Sequence, residues 1–473
     1  MGNTSDVNRR DVMKRAAALG LVAVPGMTAL SSCASGGDDG NENKVEKGKK
    51  TKDNPLAVNK KAGLEVVIFN GGYGDQYAKD AEKIYAESYG KVKHAKTQKI
   101  RTKMQPRMVK GSPPDVINNS GAENMDIASL IDDKQVTDLG PLLDAPSLFD
   151  PSKTVRETLR PGTVEKGQFG SEKVYQLNYS YTVYGLWYSK SALEKLDVEY
   201  PKTWDEMLDV CAKAKKQGIE AWTYAGKHPY YLAFTMFAFI GKIGGADRLK
   251  AIDNLEPDAW EHDAVKQAFE AYAELQKKGY ILKGSSGLDH IQSQTQWTKG
   301  NALFIPNGSW VENEAKQTTP DDFEMTVAPN PSLDSSDKMP FETVWAEASE
   351  PFMVPAKAKN VEGGLEFLRI MMGKESTKNF TELVSALTCV DGAADGLDLG
   401  PGLGSAKKVV EAAGDNILSP RHKDWYLQLH NEKVGGALAS LMSGDIGPSE
   451  AMKRCQKATD EVRKDDAIKK YKR

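Results

Sequence analysis

Leu64-Glu65-Val66-Val67-Ile68-Phe69, followed at once by Asn70-Gly71-Gly72-Tyr73-Gly74, is the stretch from which the fold is read. Six mostly apolar residues that end in a Gly-rich turn have the length and composition of a buried strand. Tyr77, Ala81, Ile84, Tyr85 and Ser88 then recur at helical spacing. A second helix is expected over Ile100–Val109, broken by Gly111-Ser112-Pro113-Pro114, and Asp115-Val116-Ile117-Asn118-Asn119 reads as a strand entering a loop. A strand–helix–strand opening predicts an α/β protein with a mostly parallel sheet. The loop at Gly71–Gly74 lacks both GxGxxG and the phosphate-loop Lys-Ser/Thr, so it is not a nucleotide cradle. A tight loop at the carboxyl edge of such a sheet is still where ligands bind.

Upstream, the first residues have a different character. Arg9-Arg10 precede an uncharged apolar run from Ala16 to Leu30, then Leu30-Ser31-Ser32-Cys33. The run is shorter than the ~20 residues that span a bilayer and fits a signal-peptide core. The order of these features predicts a twin-arginine-type lipoprotein signal over 1–32 with lipidation at Cys33. Residues 33–55 are polar and Gly-rich and are expected to form a flexible tether. Removing the signal leaves the mature chain near −5, from −3 for the whole sequence. That small charge gives no footing for nucleic acid. Cys211, Cys389 and Cys455 allow at most one disulfide, whose pairing the sequence leaves open, and Cys211 lies on an apolar helix face.

Downstream, Val174–Tyr188 is rich in aromatic and β-branched residues and reads as extended chain. Thr203 and Glu206 form a capping box for the next helix. Leu232–Ile243 is a buried-helix candidate. Further helices are expected at 261–278, 360–372, 405–413 and 449–463, and strands at 302–305, 323–328 and 351–354.

Several of these segments resemble the extracellular solute-binding proteins of carbohydrate ABC importers. The resemblance rests on Gly111-Ser112-Pro113-Pro114-Asp115-Val116, on Tyr188-Ser189-Lys190 with Pro201-Lys202-Thr203-Trp204-Asp205-Glu206, and on Lys299-Gly300-Asn301-Ala302 with Asn307-Gly308-Ser309-Trp310. Lys374-Glu375-Ser376-Thr377-Lys378 fits as well. Within that family the sequence is similar to the N-acetylglucosamine/diacetylchitobiose-binding lipoproteins, including at Thr343-Val344-Trp345-Ala346-Glu347. The resemblance implies a two-lobed, periplasmic-binding-protein-like α/β fold with a hinge and an interlobe cleft. Lobe 1 is expected over 56–180 and 332–388, and lobe 2 over 181–331 and 389–473. The chain should cross near 177–183, 327–331 and 386–393. The implied protein is a monomer on the outer face of the cell membrane, held by its lipid anchor, with permease subunits as partners and no cofactor or metal.

A sugar offers apolar C–H faces and a rim of hydroxyls, so its site needs flat aromatics beside carboxylates and amides. The candidates are Tyr73, Asn118, Asn119, Tyr230, Trp310, Trp345, Glu347 and Trp425, with Trp345 and Glu347 expected in a loop. Trp187, Trp204 and Trp260 are expected to be structural, and Trp222 and Trp297 are left undecided. An acetamido sugar is the expected ligand, and a cello- or malto-type oligosaccharide the alternative. A glycoside hydrolase needs a carboxylate pair flanking one bond, and no motif singles one out. Tyr230-Tyr231 admits an iron-delivery reading, against which the eight Trp favour sugar.

Overall fold

The computed structural model describes residues 45–473. The signal segment, the twin arginines and Cys33 lie outside the described residues. Residues 45–55 are not a free tether. Val45 N–H donates to the Lys359 carbonyl at 2.9 Å and Gly48 N–H to Ala57 at 2.8 Å. The buried Asn54 side chain both donates to and accepts from Val58. Polar composition misled here because the backbone and one Asn, not apolar burial, dock the segment.

The strands are β1 (Leu64–Phe69), β2 (Val92–Thr97), β3 (Val116–Asn118), β4 (Leu177–Ser189), β5 (Glu220–Trp222), β6 (Ala302–Gly308), β7 (Met325–Ala328), β8 (Val344–Met353), β9 (Leu387–Thr388) and β10 (Ile417–Leu418). Their main order is β2-β1-β3-β8-β4-β6-β5. The opening is parallel, as the strand–helix–strand reading predicts, and so is β5 with β6. The middle is not. β4 runs antiparallel to β6, β7, β8 and β9, and β8 antiparallel to β3. The sheet is therefore mixed rather than mostly parallel. Two βα halves are joined by long strands passing in opposite directions, and opposite passes must pair antiparallel.

β4 is buried along nearly its whole length, so it reads as a continuous apolar and aromatic run instead of alternating. β2, with sequence VKHAKT, escaped the sequence reading. It is an edge strand, and its exposed polar residues carry no apolar period. One hydrophobic cluster joins Val66, Ile68 and Tyr85 to Phe352 and Leu368. A larger one packs the buried Tyr231–Gly244 helix against Trp260, Phe269 and Trp345. The fold is the α/β, two-lobed, periplasmic-binding-protein-like fold.

The second crossing differs from the sequence expectation of 327–331. Residues 329–343 stay with the Tyr231–Gly244 helix. The buried Lys242 ammonium donates to the Asn330 and Phe341 carbonyls, and Ser332 N–H donates to Lys202 at 2.8 Å. The return pass is made by β8, 344–353, paired with β4 from Tyr184↔Trp345 to Leu177↔Phe352. Cys211, Cys389 and Cys455 are buried free thiols. No described helix is long and apolar enough to cross a membrane.

Candidate functional site

A cleft of about 850 Å³ opens where the loops after β1 and β3 face the far half of the molecule. Its near wall is the Gly71–Gly74 loop and the loop 119–127. Its floor is β4 and β8, through Asn178, Tyr184, Glu347 and Glu350. Its far wall is the start of the Tyr231–Gly244 helix, the Val311–Ala315 helix and the short His422–Trp425 helix.

Aromatic rings line the far wall. Trp310 meets Tyr184 and Phe234 at 5.7 Å and Tyr231 at 5.9 Å, each close to edge-on. Such contacts hold the indole rigid at low entropic cost. Gly308 makes room for it, since a Cβ there would fall 2.2 Å from Trp310 Cζ3. Tyr230 packs on Tyr231 at 5.0 Å, with the Lys423 ammonium 5.7 Å over its ring. Tyr73 comes from the opposite loop, and its buried hydroxyl has no hydrogen-bond partner within bonding geometry among the described residues.

The polar groups are unusually buried. Lys166 Nζ lies 2.7 Å from Glu347 Oε2 and 2.9 Å from Asp424 Oδ2. Ser419 donates to Glu347 at 3.2 Å. Burial pushes the Glu350 carboxyl up to about 7, against Ser120 and Asn118 side chains and a distant Lys423. Burial likewise lifts Glu314 to about 7, although Gln294 Nε2 donates to it at 2.7 Å. Desolvation lowers the Lys423 ammonium, while Glu347 and Asp424 oppose that shift. Asn178 Nδ2 and Asn431 Oδ1 are buried without partners among the described residues. The cleft thus presents rigid ring faces beside uncommitted donors and acceptors, which suits a ligand that is apolar on its faces and polar at its edge.

Five sequence candidates line this cleft: Tyr73, Asn119, Tyr230, Trp310 and Glu347. Asn119 has little left to offer, because its amide exchanges hydrogen bonds with the Met125 backbone at 2.8 and 2.9 Å. Asn118 is fully buried off the cleft wall. It accepts from Phe69 N–H and donates to the Pro351 carbonyl, stitching β1 to β8. Trp345 is 1% exposed and lies in strand β8, not in a loop, beneath Tyr184 and Phe234. Trp425 stacks on Tyr471 at 5.4 Å, away from the lining. Trp187, Trp204, Trp222, Trp260 and Trp297 are all buried in the core.

The sequence reading missed Lys166, Tyr184, Tyr231, Glu314, Glu350, Lys423 and Asp424, all of which line the cleft. Lys423-Asp424 adjoin Trp425, so the sequence candidate stands next to the residues that reach the cleft. Tyr184 sat inside an aromatic run that hid it. Lys166 carries no local signal, since only the fold brings it to Glu347.

The pattern of the bacterial extracellular solute-binding protein family matches residues 91–378. The chain belongs to this family. Family membership assigns an exported solute-binding role. The chain is 33% identical over 474 residues, 98% of each sequence, to the diacetylchitobiose binding protein NgcE of Streptomyces coelicolor. In fold it is similar to RafE of Streptococcus pneumoniae, with a TM-score of 0.66 at 17% identity, covering 85% of this chain and 98% of that one. It is also similar to a chitin oligosaccharide binding protein, at a TM-score of 0.63 and 19% identity over 82% and 93% of the two chains.

Proposed function

We propose that this protein captures diacetylchitobiose and related N-acetylglucosamine sugars outside the cell and hands them to the permease of an ABC importer. The observation that carries the reading is the 33% identity to a diacetylchitobiose binding protein, sustained over 98% of both chains. The cleft chemistry supports it. An acetamido group brings one N–H, one carbonyl and one methyl. Glu350 or Asn431 can accept from the N–H, Asn178 Nδ2 or Tyr73 can donate to the carbonyl, and ring faces can cover the methyl. Buried groups matched to that set reject a sugar that leaves them unpaired.

Calorimetric titration with diacetylchitobiose, N-acetylglucosamine, cellobiose and maltose tests the reading. Tight binding of the acetylated sugars is expected. Binding of cellobiose or maltose alone would transfer the role to a neutral oligosaccharide. The reading includes a lipid anchor at Cys33, drawn from the ordered Arg-Arg, apolar and Leu-Ser-Ser-Cys series. Cys33→Ala should be exported and shed into the medium. Retention at the membrane would remove that part.

A further inference from the structure

The His422–Trp425 helix is a single turn, and one turn cannot hold itself in water. Yet it delivers Lys423 and Asp424 to the cleft. Something outside the cleft must fix it: Tyr471 touches its far end, and Arg473 reaches its start through Asp253.

At the start of the turn stands Asp253, the last residue of the Ala246–Asp253 helix and fully buried. Arg473 Nη2 lies 2.7 Å from its carboxylate. The Ala246–Asp253 helix packs against the turn, and Arg473 opposes the desolvation that raises the Asp253 carboxyl. Arg473 is seated by its main chain: its N–H donates to Asn254 Oδ1 at 2.9 Å, and Asn254 Nδ2 donates to its carbonyl at 3.2 Å.

At the far end Tyr471 stacks on Trp425, 5.4 Å between centroids and 23° between planes. Its N–H donates to Tyr426 Oη at 2.9 Å. The ring also meets Phe169 at 6.5 Å and comes within 3.3 Å of the position of a Cβ on Gly170. Phe169 follows the Thr163–Lys166 helix, whose Lys166 pairs with Asp424. One ring therefore contacts both the segment that follows Lys166 and the segment that carries Asp424.

We propose that Tyr471 and Arg473, acting with Asp253, are positioning residues for the Lys423–Asp424 corner of the cleft. The proposal rests on reading that cleft as the sugar site, but its geometry can be tested without a sugar. Amide hydrogen exchange in the free, full-length protein should quicken at residues 421–426 by about tenfold or more in Tyr471→Ala and Arg473→Ala. Tyr471→Phe should exchange like wild type, because the hydroxyl has no partner among the described residues and the ring does the holding. Unchanged exchange in both Ala variants overturns the proposal, whatever the protein binds.

Affinity supplies the second arm. Tyr471→Ala should weaken diacetylchitobiose by about tenfold. The loss should disappear when Asp424→Asn is already present, since residues acting through one group are not additive. Losses that multiply would mean general loosening and would also overturn the proposal. Failure of wild type to bind any acetylated sugar would overturn the ligand reading instead, leaving exchange to decide the positioning.

Discussion

The Lys166 ammonium lies 2.9 Å from the Asp424 carboxylate, joining a residue that precedes β4 to one that follows β10. The same ammonium meets Glu347 at 2.7 Å, so one buried cation bridges a carboxylate of the cleft floor and one of its far wall. Burying charge is costly, and removing one member leaves the others uncompensated. Lys166→Met should therefore destabilise the fold by about 3–5 kcal/mol. Denaturant unfolding of the variant checks this. A change under about 1 kcal/mol would mean that water already screens the trio.

A second contact spans the cleft mouth. Asn313 donates its amide to the Gly72 carbonyl, and a Cβ on Gly72 would fall 2.9 Å from Glu314 Cγ. Gly72→Ala should oppose this approach. A ligand that touches both walls favours the closed form only by its differential contacts, so the variant should bind sugar more weakly by about tenfold, with little loss of stability. Scattering with saturating sugar should show less compaction than in wild type. Equal compaction and equal affinity would show that Glu314 simply swings aside.

Trp310 and Trp345 make opposite predictions despite equal chemistry. Trp310 is half-buried on the cleft wall and Trp345 is sealed beneath it. Trp310→Ala should weaken sugar binding by about 1–3 kcal/mol with the fold intact. Trp345→Ala should instead cost about 3–5 kcal/mol of stability, the scale for emptying a buried aromatic site. Calorimetric titration and thermal unfolding of both variants separate the two roles. A Trp345→Ala protein of native stability would remove it from the core.

That pair also marks how far the sequence reaches. The strand–helix opening, the capping box at Thr203–Glu206 and the Tyr231–Gly244 helix were legible because periodicity and caps are local. The cleft loops at Tyr73 and Trp310 were legible through Gly-rich punctuation. Trp345 was not, because Glu350 and Pro351 break the apolar run of β8 and make its first half look like a loop. Glu350 has φ +56°, a left-handed kink inside a strand. Lys166 and Glu347 are far apart in sequence, and no spacing rule connects them.

The two raised carboxyls give a pH dependence of definite sign. Glu314 and Glu350 sit at about 7 in the folded protein, because burial disfavours their charge, and titrate near ~4.3 when unfolded. Between those values the native state binds more protons than the unfolded one, so stability falls as pH rises. Their contribution is complete below ~4.3 and lost through about 7. Asp75 runs the other way: despite some desolvation, bonds from Lys79, Lys96 and His94 hold it down to about 2, so its contribution is lost in acid. The groups near Glu350 include Ser120, Asn118, Lys423 and Tyr73, and those near Glu314 include Gln294, His290, Tyr230 and Tyr231. His290 is lowered by burial and by His228, against Asp289. Glu314→Gln and Glu350→Gln should each remove a penalty on the order of 2 kcal/mol at pH 7.5 and much less at pH 5. Unfolding free energies measured at both pH values check this. Wild type should lose more stability than either variant between pH 5 and 7.5, and parallel slopes would show that these carboxyls are solvated in the folded protein.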